Sequence, residues 1–238
     1  MKRLFNALPN AITCLNILMG CVASVTLIQG NYKLSILAVL IGLFADFADG
    51  FVARLLKVQS ELGKQLDSLA DMITFGFYPG LIAYTILQEL LPQGDSLLFQ
   101  GLPFLGFLIT VSSGIRLAAF NISSNQSSEF IGLPTPANTV IWLTYPLLRS
   151  QDESGMSVIA ELLNWQWIVL LIFLTSFLLN SKIRLLALKF SDFKFTNNWD
   201  KYLLLISSVV LMYIFGLFSG PFIITLYLLI SLIKTTIK

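Results

Sequence analysis

Long apolar runs separated by short polar connections make up most of the chain. Eight of these runs are long enough, or nearly long enough, for a membrane-spanning helix. They lie at about 11–29, 34–55, 66–88, 97–119, 135–149, 164–180, 202–218 and 220–236. Residues 219–221, Ser-Gly-Pro, are predicted to form the turn between the last two runs. The pattern predicts an all-α fold, a polytopic integral membrane helical bundle with about eight transmembrane helices.

The composition agrees with this prediction and limits the chemistry. Of the 238 residues 56% are hydrophobic and only 12% are charged, whereas about 25% of the residues in an average soluble domain are charged. Histidine is absent, which excludes histidine general bases, triads and histidine metal sites. Cys14 and Cys21 form no CxxC pattern, so they indicate no redox role.

The distribution of Lys and Arg predicts the orientation in the membrane. If the N-terminus is on the inner side, the outer segments contain only Lys33 and Arg149 of the 15 basic residues. The other 13 then lie in inner segments. Both termini are therefore predicted to face the cytoplasm, in the cell (inner) membrane, and so is the polar stretch between the second and third runs.

That polar stretch carries four carboxylates within DFADGFVARLLKVQSELGKQLDSLAD, residues 46–71. Asp46 and Asp49 are spaced i,i+3, and Asp67 and Asp71 are spaced i,i+4, so each pair lies on one face if both segments are helical. Converging carboxylates repel each other unless cations neutralise them. Hard divalent cations prefer oxygen ligands, so the pattern predicts a metal site.

The alternative for these carboxylates is ion pairing with neighbouring basic residues at the membrane surface. Arg54, Lys57 and Lys64 are the available partners in this stretch. Ionisable residues at membrane depth are costly and usually mark function, which favours the metal site.

The full spacing is more specific than the carboxylates alone. It reads Asp46, two residues, Asp49-Gly50, two residues, Ala53-Arg54, eight residues, Gly63, three residues, Asp67, three residues, Asp71. All eight fixed positions resemble the signature of the CDP-alcohol phosphotransferases, an integral membrane family. The resemblance implies that the four aspartates bind two Mg2+ or Mn2+ ions, and that Asp71 is also the catalytic general base.

The same resemblance implies a nucleotide pocket. Its expected residues within the signature are Asp49, Gly50, Ala53, Arg54, Gly63 and Asp67. A second element of the family is a Pro-Asn-x-x-Thr start to the first helix, which here places Asn10 and Thr13 toward cytidine. The alternatives are an N-cap at Asn10, a back-bonded Thr13, and glycines that only allow helices to approach.

Sequence outside the signature resembles the membrane-bound phosphatidylserine synthases of this family. The similar stretches are GKQLDSLADMITFGFYPG at 63–80, RLAAFN at 116–121 and GLPTPA at 132–137. The resemblance implies CDP-diacylglycerol and L-serine as substrates, with Arg116, Asn121 and Ser68 as candidate serine contacts. Thr74 and the polar loop at 123–128 are further candidates. Ala119 departs from the family, which often has a second basic residue there. A membrane-surface role for the Arg116 side chain is the alternative.

The expected reaction is transfer of the phosphatidyl group of CDP-diacylglycerol to serine, with release of CMP. The open alternatives are another acceptor, glycerol 3-phosphate or an inositol compound, and a cation-coupled transporter. The family resemblance also implies a homodimer among membrane lipids, and no nucleic-acid partner is expected. We predict a single membrane domain, 1–238, with a catalytic core at about 9–181. The remaining residues, 182–238, would form an interfacial connector and two C-terminal helices.

Overall fold

A computed structural model describes residues 2–58, 60–92, 97–122, 130–151, 164–186 and 195–237. Within these ranges the chain is helical apart from connections and one short strand pair, which confirms the predicted all-α class. In that pair, β1 (Phe130–Ile131) runs antiparallel to β2 (Arg184–Leu185). The pair joins the segment before the fifth predicted run to the connector after the sixth.

The helices alternate with short 3-10 and π segments. In chain order they are α1 Lys2–Ile28, α2 Tyr32–Leu56, α3 Glu61–Asp71, a π-helix Met72–Phe77, α4 Tyr78–Leu90, α5 Leu97–Gly101, a first 3-10 helix Leu102–Gly106, α6 Phe107–Ile122, α7 Thr135–Trp142, α8 Thr144–Ser150, α9 Trp165–Asn180, α10 Phe195–Phe215, a second 3-10 helix Gly216–Ser219 and α11 Gly220–Ile237.

Five helical stretches in the described residues are long and apolar enough to cross a membrane. They are Ala7–Ile28, Tyr32–Leu56, Glu61–Leu90, Phe99–Ile122 and Asn198–Lys234. The predicted number of eight is therefore not confirmed. The predicted fifth run is divided into α7 and α8, because Pro146 has no N–H for the helix at that point, and α9 has only 16 residues.

The last stretch is an antiparallel hairpin. Lys234 near the end of α11 forms an ion pair with Asp200 near the start of α10, and the ring of Phe215 stacks on Phe222 at the other end. The turn lies earlier than predicted: it is the second 3-10 helix, which begins at Gly216 with a φ of +55°. A positive φ suits glycine, which has no Cβ.

The connection from α2 to α3 places the two aspartate pairs at the same end of the bundle. α2 ends at Leu56, and Lys57 takes a left-handed conformation with φ 53°. Ser60 then caps α3, where its side chain accepts a 3.0 Å hydrogen bond from the N–H of Gly63. α1 starts at Lys2, before the predicted edge near residue 11, so Pro9 and Asn10 lie inside the helix and Asn10 is not an N-cap.

The opposite end of the bundle is also tied together by polar contacts. Arg149 at the end of α8 pairs with Glu89 near the end of α4 at 3.4 Å. Its guanidinium also donates to the hydroxyl of Tyr32 at the start of α2. Between the two ends, the core is formed by buried apolar residues of α1, α2, α4 and α9. The four aspartates and the Arg149 cluster thus lie at opposite ends of these helices.

Candidate active site

The four aspartates of the signature meet where α2 and α3 face each other. Ligand oxygens of Asp46, Asp49 and Asp67 lie within 4.8 Å of one another. The carboxyl group of Asp71 interacts with that of Asp46, and its Oδ1 is buried with no hydrogen-bond partner in the described part of the chain. An all-oxygen donor set with close like charges fits a hard divalent cation. The role of these residues as ligands stays a prediction.

α1 supports this cluster from the side. The hydroxyl of Thr13 donates a 2.6 Å hydrogen bond to Oδ2 of Asp49 and lies 3.0 Å from the carbonyl oxygen of Pro9. Asp49 is only 5% exposed, so this contact orients a buried carboxylate. The sequence interpretation gave Thr13 a contact with cytidine or a bond to its own helix, and did not foresee a hydrogen bond to Asp49.

A cavity of about 680 Å³ opens beside the carboxylates. All eight residues predicted to contact the nucleotide line it, namely Asn10, Thr13, Asp49, Gly50, Ala53, Arg54, Gly63 and Asp67. The others lining it are Pro9, Val58, Ser60, Glu61, Lys64 and Phe120. Its volume is within the usual range for small-molecule and cofactor sites.

The two glycines of the signature differ in what surrounds them. A Cβ on Gly50 would lie 3.7 Å from Nη1 of Arg54, which is an ordinary contact. A Cβ on Gly63 would lie 3.0 Å from Oδ1 of Asn10 and 3.1 Å from Oγ of Ser60, which is tight. Close packing of α1 on α3 therefore explains Gly63, whereas Gly50 leaves open space on the cavity wall.

Two candidate serine contacts are joined to each other. Oγ of Ser68 lies 3.1 Å from Oδ1 and 2.8 Å from Nδ2 of Asn121, and the Nζ of Lys64 donates to the backbone carbonyl of Asn121 at 3.0 Å. The end of α6 is thereby fixed against α3. Thr74, also a candidate, is fully buried and donates to the carbonyl of Asn16. The predicted polar loop at 123–128 lies outside the described residues.

Arg116, the third candidate, has structural contacts that the sequence did not indicate. Its Nη1 donates to the carbonyl oxygen of Ile131 at 2.9 Å and to that of Leu179 at 3.0 Å. The backbone of Gly132, which has a φ of +71°, lies close to this Nη1, and a Cβ on Gly132 would be only 2.9 Å from it. Arg116 therefore ties α6 to β1 and to the end of α9. A serine contact through the rest of its guanidinium stays a prediction.

Lys64 and Phe120 line the cavity although neither was predicted to do so. Lys64 precedes Asp67 by three residues, so helical spacing alone places the two on one face. Phe120, near the end of α6, is 54% exposed. Its proximity to the cavity depends on how α6 packs on α3, which no local pattern reports.

Comparison with known proteins decides the family. The family described as CDP-alcohol phosphatidyltransferase matches residues 6–178. The chain belongs to this family. The match includes all four aspartates and every residue that lines the cavity. CDP-alcohol phosphatidyltransferases depend in general on divalent metal, which agrees with the donor set, and the membrane-length apolar helices make this member an integral membrane protein.

Several curated relatives share more specific names. The chain is 34% identical over 161 residues to the CDP-diacylglycerol–serine O-phosphatidyltransferase of Bacillus subtilis, covering 64% of this chain and 85% of the relative. It is 35% identical over 145 residues to the protein of that name from Helicobacter pylori, covering 60% and 58%. An archaetidylserine synthase of Methanothermobacter thermautotrophicus is 30% identical over 159 residues, covering 65% and 64%.

Proposed function

We propose that this CDP-alcohol phosphatidyltransferase transfers the phosphatidyl group of CDP-diacylglycerol to the hydroxyl of L-serine, giving phosphatidylserine and CMP. The observation that carries the proposal is the carboxylate cluster beside a cavity lined by all eight expected nucleotide residues. The relatives whose names state serine as the acceptor support the choice of substrate.

In the proposed reaction the serine hydroxyl oxygen attacks the phosphorus that carries diacylglycerol. A new P–O bond forms to serine, and the P–O bond of the pyrophosphate linkage breaks, so that its electron pair leaves with CMP. Asp71 accepts the hydroxyl proton as general base. Its buried Oδ1 has no hydrogen-bond partner among the described residues, so this oxygen has lone pairs available for a proton.

The carboxylates of Asp46, Asp49, Asp67 and Asp71 would hold the metal. We propose two ions, Mg2+ or Mn2+. When bound, such ions would neutralise charge on the attacking serine oxygen and on the phosphate oxygens of the leaving CMP. Thr13 keeps Asp49 in place for this role through its 2.6 Å hydrogen bond. Arg54, on the cavity wall, would bind phosphate through its planar guanidinium, with Asn10 nearer cytidine.

Serine would bind on the side of the cavity where α3 and α6 meet. Ser68 and Asn121 are already in contact there, and they would supply neutral hydrogen bonds. Lys64 and Arg116 are the cations nearest this pair in chain position, and we assign the serine carboxylate to Arg116. The Nη1 of Arg116 is occupied by backbone carbonyls, so its remaining N–H groups would form the contact.

The membrane arrangement follows from charge. We propose that the active-site end faces the cytoplasm, in the cell membrane, since most Lys and Arg residues fall on that side.

We also propose a homodimer, and a division into a catalytic core, 9–181, and a C-terminal part, 182–238. The family match to residues 6–178 supports that division.

A panel of acceptors tests the function directly. Purified protein in lipid nanodiscs is given CDP-diacylglycerol, Mg2+ or Mn2+, and one of L-serine, glycerol 3-phosphate, myo-inositol or ethanolamine. We expect metal-dependent CMP release and phosphatidylserine formation with serine. Preferential turnover of glycerol 3-phosphate or inositol would identify the alternative acceptor. Absence of CMP release with every acceptor, with cation flux into proteoliposomes, would favour the transporter.

A further inference from the structure

The side chain of Asn16 is buried on α1, about one helical turn beyond the Thr13 that contacts Asp49. Asn16 follows Thr13 by three residues on α1, so the two side chains share one helix face. It is fully buried, and its backbone carbonyl accepts a 3.0 Å hydrogen bond from Oγ1 of Thr74. Thr74 follows Asp71 by three residues. Asn16 is thereby fixed against the helix that carries the expected general base.

On α2, Asn16 lies against Gly42, about one helical turn from Asp46. A Cβ on Gly42 would lie 3.2 Å from Oδ1 of Asn16, and Gly42 precedes Asp46 by four residues, or about one helical turn. A Cβ on Gly20 would lie only 2.4 Å from Oγ1 of Thr74. The three helices therefore approach so closely that the amide has little room to turn away.

Within the described residues, neither Oδ1 nor Nδ2 of Asn16 has a hydrogen-bond partner. Oδ1 of Asp71 is buried and unpaired in the same region. Buried polar groups in folded proteins almost always have partners, and each exception calls for a specific explanation. A leucine of similar volume would fill the same space at no such cost, so packing alone does not explain an asparagine here.

We propose that Asn16 is a positioning residue of the metal site. Its amide N–H donates, through one buried water, to the carboxylate pair of Asp46 and Asp71, and so fixes which oxygens face the cations. Thr13 does the same for Asp49 one turn earlier on α1. Metal-ligating carboxylates commonly depend on such outer hydrogen bonds. The inference rests on the proposed metal-dependent function.

Metal binding without turnover gives the first readout. Mn2+ affinity is measured by electron paramagnetic resonance on the full chain in nanodiscs, for the native protein and Asn16→Leu. We expect Mn2+ to bind about 10–100-fold more weakly in Asn16→Leu. In the CMP-release assay, kcat should fall while KM for CDP-diacylglycerol changes less than about threefold. Asn16→Ser, which keeps a donor, should recover part of both losses.

Asn138 on α7 provides a matched control. It is also fully buried, and both of its amide atoms also lack a partner among the described residues. Because α7 contributes no described residue to the carboxylate cluster or to the cavity, Asn138→Leu should bind Mn2+ as the native protein does. Mn2+ affinity within about twofold of native in folded Asn16→Leu would overturn the proposal. If that variant does not fold, the same result in Asn16→Ala would overturn it.

The two proposals can fail separately. Native protein that binds Mn2+ but forms no phosphatidylserine would contradict the proposed function. The Asn16 inference would then be judged by the binding data, because they require neither serine nor CDP-diacylglycerol.

Discussion

Thr13 donates a 2.6 Å hydrogen bond to Oδ2 of Asp49, across 36 positions of sequence. The bond joins the first helix to a carboxylate of the candidate metal site. Asp49 also lines the cavity, so one hydroxyl influences both metal and nucleotide. Variants of Thr13 therefore distinguish two roles for this residue, which are orientation of the metal ligand Asp49 and direct contact with cytidine.

Thr13→Val should weaken metal binding, so that a higher Mn2+ concentration is needed for activity. Valine keeps the shape of threonine but removes the donor to Asp49, and outer contacts of this kind are commonly worth 10–100-fold in affinity or activity. Titrating CMP release with Mn2+ measures the effect, and Thr13→Ser should stay close to native.

Thr26→Val is the control for this prediction. Thr26 is a buried threonine of the same helix whose hydroxyl donates to carbonyls of its own helix, at Val22 and Ala23. Its loss should leave the metal titration unchanged. If Thr13→Val instead raises only the KM for CDP-diacylglycerol, Thr13 is a cytidine contact and not a support for Asp49.

Asp46→Asn and Asp67→Asn should each abolish turnover while folded protein remains in the membrane. Each change removes a charged ligand from a carboxylate cluster whose mutual repulsion bound cations would neutralise. CMP release at low Mg2+ or Mn2+ is the measurement, with Glu89→Gln at the opposite end as the control. Near-native activity in either variant would exclude the two-ion site.

Gly63→Leu and Arg54→Ala should weaken donor binding more than serine binding. A side chain at Gly63 would meet Asn10 and Ser60 within 3.1 Å, and Arg54→Ala would lose a charged hydrogen bond of about 1.5–3 kcal/mol. KM values for both substrates provide the test. Gly101→Ala is the control, since a Cβ at Gly101 meets nothing within 4 Å. Unchanged donor KM in both variants would limit these residues to helix packing.

Arg116→Lys should raise the KM for serine, because lysine keeps the charge but loses the planar fork. Arg116→Ala should lose more, about 2–5 kcal/mol of serine binding if a buried carboxylate is left without its partner. The ratio of serine to ethanolamine turnover is the sharper measurement. Ethanolamine has no carboxylate, so Arg116→Ala should narrow the preference for serine.

The structural ties of Arg116 require a separate control. Gly132→Ala would disturb the Nη1 contact, because its Cβ would lie 2.9 Å away, yet it keeps the guanidinium. We expect a lower Tm and an unchanged ratio of serine to ethanolamine turnover. An unchanged ratio in Arg116→Ala would mean that Arg116 only joins α6, β1 and α9.

The residues that line the cavity were predicted from the resemblance to a family signature. Local spacing predicted only that Asp46 and Asp49 share one helix face, and Asp67 and Asp71 another, because i,i+3 and i,i+4 positions fix side-chain direction once a helix forms. The contacts of Thr13 and Arg116 were not predictable in this way, since each depends on segments far apart in sequence. The break between α7 and α8 was missed because proline is tolerated within membrane helices.

The π-helix that follows Asp71 also has a consequence for changes in chain length. Two carbonyl groups of the π-helix accept hydrogen bonds from other helices. The carbonyl of Gly76 accepts from Thr110, and that of Phe75 accepts from Thr139. One residue corresponds to about 100° of rotation in an α-helix. The π-helix has more residues per turn than an α-helix, so a single-residue deletion within 72–77 would be absorbed by a return to α-helical turns. The same deletion within α4 would turn α3 relative to the end of α4 and carry Asp67 and Asp71 away from α2, although every aspartate would still be present in the sequence.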